Sequence, residues 1–189
     1  MTDTIAAVAT APGQGGIGIV RVSGPRARAV GEAITARKLE PRCAQHCDFL
    51  GSDGVVVDHG IALLFCAPAS FTGEDVVELQ GHGGIVVMQM LLQAALARGA
   101  RLAHPGEFTQ RAFVNGKLDL AQAEAVVDLL ASGSEAAARG AMRSLRGEFS
   151  EQVVAIDRAI LELRVYIEAA IDFPDEEVEF LSAGDVAGR

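Results

Sequence analysis

Apolar residues recur at two different periods along the chain, and the period changes near residue 117. Before that point, short apolar runs alternate with glycine-rich turns. Residues 4–10 (TIAAVAT) and 17–23 (IGIVRVS) read as strands joined by the loop APGQGG. Pro25 stands where helices begin, and RARAVGEAITAR reads as that helix. Residues 55–66 read as a strand after the turn GSDG. Residues 75–80 read as an alternating strand, with Val76 on one face and Asp75, Val77 and Leu79 on the other. GGIVVMQMLLQAALARGA reads as a helix with a wide apolar face, stopped by Gly99. Together these predict a mixed α/β unit in which strands outnumber helices.

From Asp119 the spacing becomes helical. DLAQAEAVVDLLAS places Leu120, Ala123, Val127 and Leu130 along one side, SGS interrupts it, and Ser134 is placed to cap the next helix. Met142, Leu145, Phe149, Val153, Ile156, Ile160, Leu163, Ile167 and Ala170 then follow steps of three and four, with one extra four-step, close to a heptad seam. Pro174 forbids continuation. The pattern predicts one helix over 135–172, roughly 57 Å long at about 1.5 Å per residue. The preceding helix spans only about 21 Å by the same rise. The seam therefore calls for another copy or for further helices, and the ending FLSAGDVAGR closes no element. The sequence thus reads as a piece of something longer.

Composition refines this picture. At 189 residues, half of them hydrophobic, the chain can bury a core in one or two domains. The net charge of −9 is uneven: residues 1–117 carry ten acids and ten bases, and residues 118–189 carry fifteen acids and six bases. Two units are expected, 1–117 and 118–189. A negative chain does not grip a phosphate backbone unaided. MTDTIAAVATAPG lacks the basic start and apolar run of a secretory signal, and no stretch approaches the roughly 20 apolar residues of a membrane span. Cys43, Cys47 and Cys66, odd in number, fit a reducing cytoplasm. CAQHC resembles half a metal site, but a structural zinc needs a second pair of ligands and none follows at a suitable spacing. Cys66 reads as a small buried hydrophobe.

The candidate chemistry is sparse. GQGGIG satisfies the dinucleotide pattern, yet strand rather than helix follows it, so it reads as a tight turn between strands. No P-loop motif is present. Arg21, in IVRVS, either faces water or holds an anion from a rigid strand. Glu78, between Val77 and Leu79, either faces solvent or receives paired N–H groups of a ligand. Glu74 and Asp75 belong to the turn before that strand. His82, between two glycines, offers a base or a ligand, but with no second ligand adjacent in sequence a turn-stabilising role is favoured. HPGEFTQRAFVNGKLDLAQAEA is the densest polar stretch. Glu107, Arg111 and Lys117 punctuate a short helix and the NGK turn. It is either a solvated connection or a domain-junction site where Arg111 and Lys117 hold an anionic ligand near the Glu78 strand.

Four blocks, DTIAAVATAPGQGGIGIVRVSG, SFTGEDVVELQGHGG, PGEFTQRAFVNGKLDLAQAEAVVDLL and YIEAAIDFPDEE, resemble in order the N-terminal part of the MnmE (TrmE) family of tRNA-modification GTPases. The resemblance covers essentially the whole chain. It implies an α+β fold: a mixed-sheet α/β domain similar to the folate-binding aminomethyltransferase-type domain, which dimerises, then the first part of an all-α helical domain. It implies that the family's folate contacts fall on Arg21, Glu78 and Lys117. The implied ligand is 5-formyltetrahydrofolate or 5,10-methylenetetrahydrofolate, with Glu78 facing the pterin N–H groups and the two cations meeting anionic groups. It further implies a cytoplasmic homodimer acting with a flavin-containing partner of the MnmG (GidA) type to install an aminomethyl-type group on the wobble uridine of certain tRNAs. GTP, magnesium and potassium would belong to a GTPase domain whose motifs this sequence lacks, as it lacks the family's C-terminal cysteine motif. No catalytic or metal-binding residue is therefore expected within these 189 residues. Two other readings use the same residues: a stand-alone folate-dependent one-carbon transferase, and a purely structural dimerisation arm.

Overall fold

The computed structural model describes residues 3–172. Pro174 and FLSAGDVAGR lie outside the described residues. Six strands, β1 (Ile5–Val8), β2 (Gly15–Ser23), β3 (Gln45–Leu50), β4 (Val56–Phe65), β5 (Val76–Gly83) and β6 (Arg101–Leu102), form one sheet in the order β3-β4-β5-β2-β1-β6. All neighbours are antiparallel except β1 and β6, which makes the sheet mixed. Helices α1 (Ala27–Thr35), α2 (Ile85–Ala97) and α3 (Glu107–Val114) complete this part, so the α+β expectation holds.

Strand alternation decides what each face of the sheet does. Val20, Val22, Phe49, Leu64, Val77 and Leu79 point to one side and bury against Val30 and Ile34 of α1 and Leu91 and Ala95 of α2. Their neighbours in sequence, Ile19, Arg21, Glu78, Gln80, Ile61 and Leu63, take the other side, where they remain partly or largely exposed. The chemistry-bearing residues therefore stand on a flat platform backed by a close-packed core.

Strand β3 was missed in the sequence. Its pattern is nonetheless regular: Cys47 and Phe49 are buried, while His46 and Asp48, which alternate with them, are exposed. The same alternation separates His46 from Cys47, and Cys43 is exposed ahead of the strand. Cys66 is half-buried at the margin of the core rather than within it.

The chain divides into two compact units between Ala123 and Glu124. Helix α4 (Leu120–Ala131) spans the division, and α5 (Glu135–Leu145) and α6 (Glu148–Asp172) follow. The single long helix expected over 135–172 is in fact two. Gly147 adopts φ +94°, a left-handed conformation that ends α5, and the N–H groups of Arg146 and Gly147 turn back to the carbonyls of Met142, Arg143 and Ser144. The break coincides with the extra four-step of the apolar spacing. Helix α6, at 25 residues, is thus roughly 38 Å long. Its apolar side is open: Ile156 and Ile160 are each 61 % exposed.

Ser134 caps α5, its Oγ accepting from the Ala137 N–H at 3.2 Å. Ser134→Ala should cost about 1 kcal/mol of local helix stability. Amide exchange in the first turn of α5 should then accelerate roughly fivefold; unchanged exchange would remove the cap from the account. Among the described residues, no helix is long and apolar enough to cross a membrane.

Candidate functional site

Arg21 of β2 and Glu78 of β5 are directly opposed in the antiparallel register. The Arg21 guanidinium donates twice to Glu78 Oε1, from Nη2 at 2.7 Å and Nε at 2.9 Å. Glu78 Oε2 keeps only a 3.5 Å contact with the Gln80 side-chain amide, so one carboxylate oxygen remains open to further donors. Both side chains are partly exposed, at 29 % and 15 %.

Two aromatic rings frame the pair. The Arg21 guanidinium carbon lies 5.7 Å from the Phe71 ring centre and 5.8 Å from that of Phe108, within cation–π range. Phe71 belongs to the loop over residues 66–75 and Phe108 to α3, so three separate segments converge on one guanidinium. Sequence reasoning weighed the acids of SFTGED and GEFTQ and passed over both phenylalanines. A signal was present, since each precedes a Thr and has an acid, Glu74 or Glu107, within three residues.

Lys117 follows α3. Its backbone N–H closes the turn onto Ala112, and its side chain packs over Gly73, where a Cβ would stand 3.2 Å from Lys117 Cγ. The neighbouring Asn115 Nδ2 donates to the Thr72 carbonyl at 2.7 Å. Lys117 thus stands, exposed, against the same loop that carries Phe71.

A buried ionic network holds these segments. Arg111 is fully buried on α3. It donates to Glu74 Oε2 at 3.0 Å, Glu107 Oε1 at 3.1 Å, and both the carbonyl and carboxylate of Asp3 at 2.9 Å. Ser23 Oγ on β2 donates to Glu74 Oε2 and shares a 2.7 Å bond with Thr72 Oγ1. Arg101 grips Glu107 from β6 through both terminal nitrogens. The Arg101 side chain beside it holds the Glu107 carboxyl down to about 2, against the opposing effect of burial. Arg111, weighed beforehand as an anion ligand, therefore has its charge satisfied internally; it fastens the loop and α3 around Arg21.

His82 departs from its expected turn. It lies on β5, and its backbone N–H and Nδ1 both bond to buried Asp58, at 2.7 and 2.8 Å. Burial raises the Asp58 carboxyl, but the His82 bonds and the His59 N–H outweigh it, leaving the group below its usual range. Hollows lie elsewhere, among them one of about 430 Å³ beside Thr35, Arg37, His46, Cys47 and Asp48, and one of about 350 Å³ under the glycine-rich loop, lined by Thr10, Pro12, Ile17 and Met88. Neither is lined by Arg21, Glu78 or Lys117. The framed ion pair, on which three separate segments converge, is the candidate site.

The arrangement suits a flat heteroaromatic ligand: ring faces, a carboxylate oxygen for paired N–H donors, and cations for anionic groups. It stands in an α+β domain continued by a helical unit. Residues 4–117 match the family model described as "GTP-binding protein TrmE N-terminus", and residues 120–189 match "MnmE helical domain". The chain belongs to the MnmE (TrmE) family. It is 61 % identical over 184 residues to the tRNA modification GTPase MnmE of Pseudomonas entomophila (strain L48), covering 97 % of this chain and 40 % of that protein. With the protein of the same name from Azoarcus sp. (strain BH72) it shares 62 % over 187 residues, 99 % of this chain and 41 % of the other. With that of Hydrogenovibrio crunogenus it shares 58 % over 187 residues, 99 % of this chain and 42 % of the other. The chain thus spans about two-fifths of the length of these curated relatives.

Proposed function

We propose that this chain is the tetrahydrofolate-binding, dimerising front part of a tRNA-modification GTPase, with residues 1–117 as the folate unit and 118–189 as the first part of a helical domain. The observation that carries the reading is the Arg21–Glu78 pair framed by Phe71 and Phe108, with Lys117 on the adjoining loop. The pterin of 5-formyltetrahydrofolate or 5,10-methylenetetrahydrofolate would present adjacent N–H donors to Glu78 Oε2. Its ring would lie among the aromatic side chains, Lys117 would meet its anionic groups, and Arg21, paired with Glu78, would hold that carboxylate in place for the ligand.

The remaining steps belong to an assembly larger than this chain. GTP, Mg²⁺ and K⁺ would be held by a GTPase domain elsewhere in the protein. A flavin-containing partner of the MnmG type would share the modification of the tRNA wobble uridine in the cytoplasm. The folate unit itself needs no GTPase motif to bind its ligand, so the isolated chain tests the reading. Titration calorimetry with 5-formyltetrahydrofolate should show saturable binding, and light scattering at tens of micromolar should give about twice the 19.7 kDa chain mass. A dimer with no heat of binding would favour the structural arm over the folate site.

A further inference from the structure

Three imidazoles stand side by side across the β3-β4-β5 end of the sheet. His46 and His59 have ring centres 5.7 Å apart, and His59 and His82 have ring centres 5.5 Å apart at 77°. No second ligand stands beside His82 along the chain; the fold supplies one from the adjoining strand.

The His59–His82 pair differs from a chance surface pair in what stands behind it. Asp58 is buried, its side chain 7 % exposed, and accepts three bonds: from the His82 N–H at 2.7 Å, His82 Nδ1 at 2.8 Å, and the His59 N–H at 2.8 Å. Gly81 makes room for it, since a Cβ there would overlap Asp58 Oδ2. An ionised carboxylate on Nδ1 keeps the proton on that nitrogen and turns the Nε2 lone pair outward. A carboxylate behind one ring nitrogen is how proteins commonly orient a histidine toward a metal. The ring spacing agrees: two imidazoles bound at about 2.0–2.1 Å to one tetrahedral ion have centres about 5 Å apart. His59 and His82 are both exposed, so the position is accessible. No three such side chains converge on one point among the described residues, so the remaining coordination positions would go to water or an anionic ligand.

We propose that His59 and His82, the latter with its ring oriented by Asp58, form a two-histidine site for a divalent ion of the Zn²⁺, Ni²⁺ or Cu²⁺ class. Imidazole ligands select these ions over Mg²⁺ and Ca²⁺, which prefer oxygen. The site lies four residues along β5 from Glu78, roughly 13 Å at about 3.3 Å per residue. It is separate from the folate reading and independent of it.

The test uses the full chain carrying Cys43→Ser, which removes the exposed thiol. Calorimetry with ZnCl₂ and NiCl₂ should give one site per chain, and MgCl₂ none. His59→Ala and His82→Ala should each weaken binding at least tenfold; both replace exposed side chains, and because His82→Ala also removes a bond to buried Asp58, its amide spectrum is compared with the parent's. Asp58→Asn should weaken it roughly 10–100-fold. Selective shifts of the His59 and His82 imidazole proton resonances on adding Zn²⁺ report the site even if Asp58→Asn folds poorly. His46→Ala should bind as the parent does; a loss as large as that of His82→Ala would move the site to the other pair and overturn the assignment. So would absence of stoichiometric Zn²⁺ binding, or parent-like affinity in either the His59→Ala or the His82→Ala variant.

Discussion

Arg111→Ala is expected to destabilise the first unit by about 3–5 kcal/mol, the cost of removing one member of a buried ionic set. The side chain is fully buried and serves Asp3, Glu74 and Glu107 together. Its loss leaves the largely buried Glu74 carboxylate without its cation, strips Glu107 of one of its two, and opens space beneath α3. Urea unfolding followed through amide exchange on β2 and β5 measures the effect in the right unit, whereas the sole tyrosine, Tyr166 on α6, reports on the other. A loss below about 1 kcal/mol would mean that the network contributes little beyond packing. The same network predicts an acid response. Glu107 sits at about 2 when folded, against 4.5 ordinarily. Its contribution, at most about 3 kcal/mol, is complete above pH about 4.5 and is lost as pH falls toward 2, because the unfolded chain then binds a proton that the folded chain refuses. Glu107→Gln should flatten that part of the pH profile; an unaltered slope would place the acid sensitivity elsewhere.

Glu78→Ala and Arg21→Ala should each weaken 5-formyltetrahydrofolate binding by about 2 kcal/mol or more, roughly thirtyfold in Kd. The reasons differ. Without Glu78, the ligand's paired donors lose their acceptor. Without Arg21, the carboxylate loses its partner, and Phe71 and Phe108 lose the group between them. Glu78→Gln keeps the shape and one acceptor, so it should fall between the alanine variant and the parent. Both positions lie on the partly exposed platform, and the core behind it comes from alternate residues, so the variants should fold. Parent-like affinity in both alanine variants would remove these residues from the site.

Periodicity and glycine placement made most of this fold legible. Val20 and Val22 flanking Arg21, and Val77 and Leu79 flanking Glu78, identify strands and say which side chains leave the core. Two features were hidden for physical reasons. Strand β3 is an edge strand of six residues opening on polar QH, too short for its alternation to stand out beside the cysteine spacing. The break at Gly147 was hidden because a seam of threes and fours continues through it; only the positive φ, which glycine tolerates, separates α5 from α6. For the site, sequence supplied the charged residues singly. Strand register, which joins Arg21 to Glu78 across 57 residues, is a property of the folded sheet. So are the approach of Phe71 and Phe108 to Arg21, and that of His59 to His82.

The mutual neutralisation of Arg21 and Glu78 has a bearing on selectivity. A dipolar doublet exerts little long-range pull, so simple carboxylates and phosphates gain small reward from approaching it. Discrimination at that spot would come from a donor pattern that fits the second oxygen, and would persist in salt concentrations that abolish attraction by Lys117 alone.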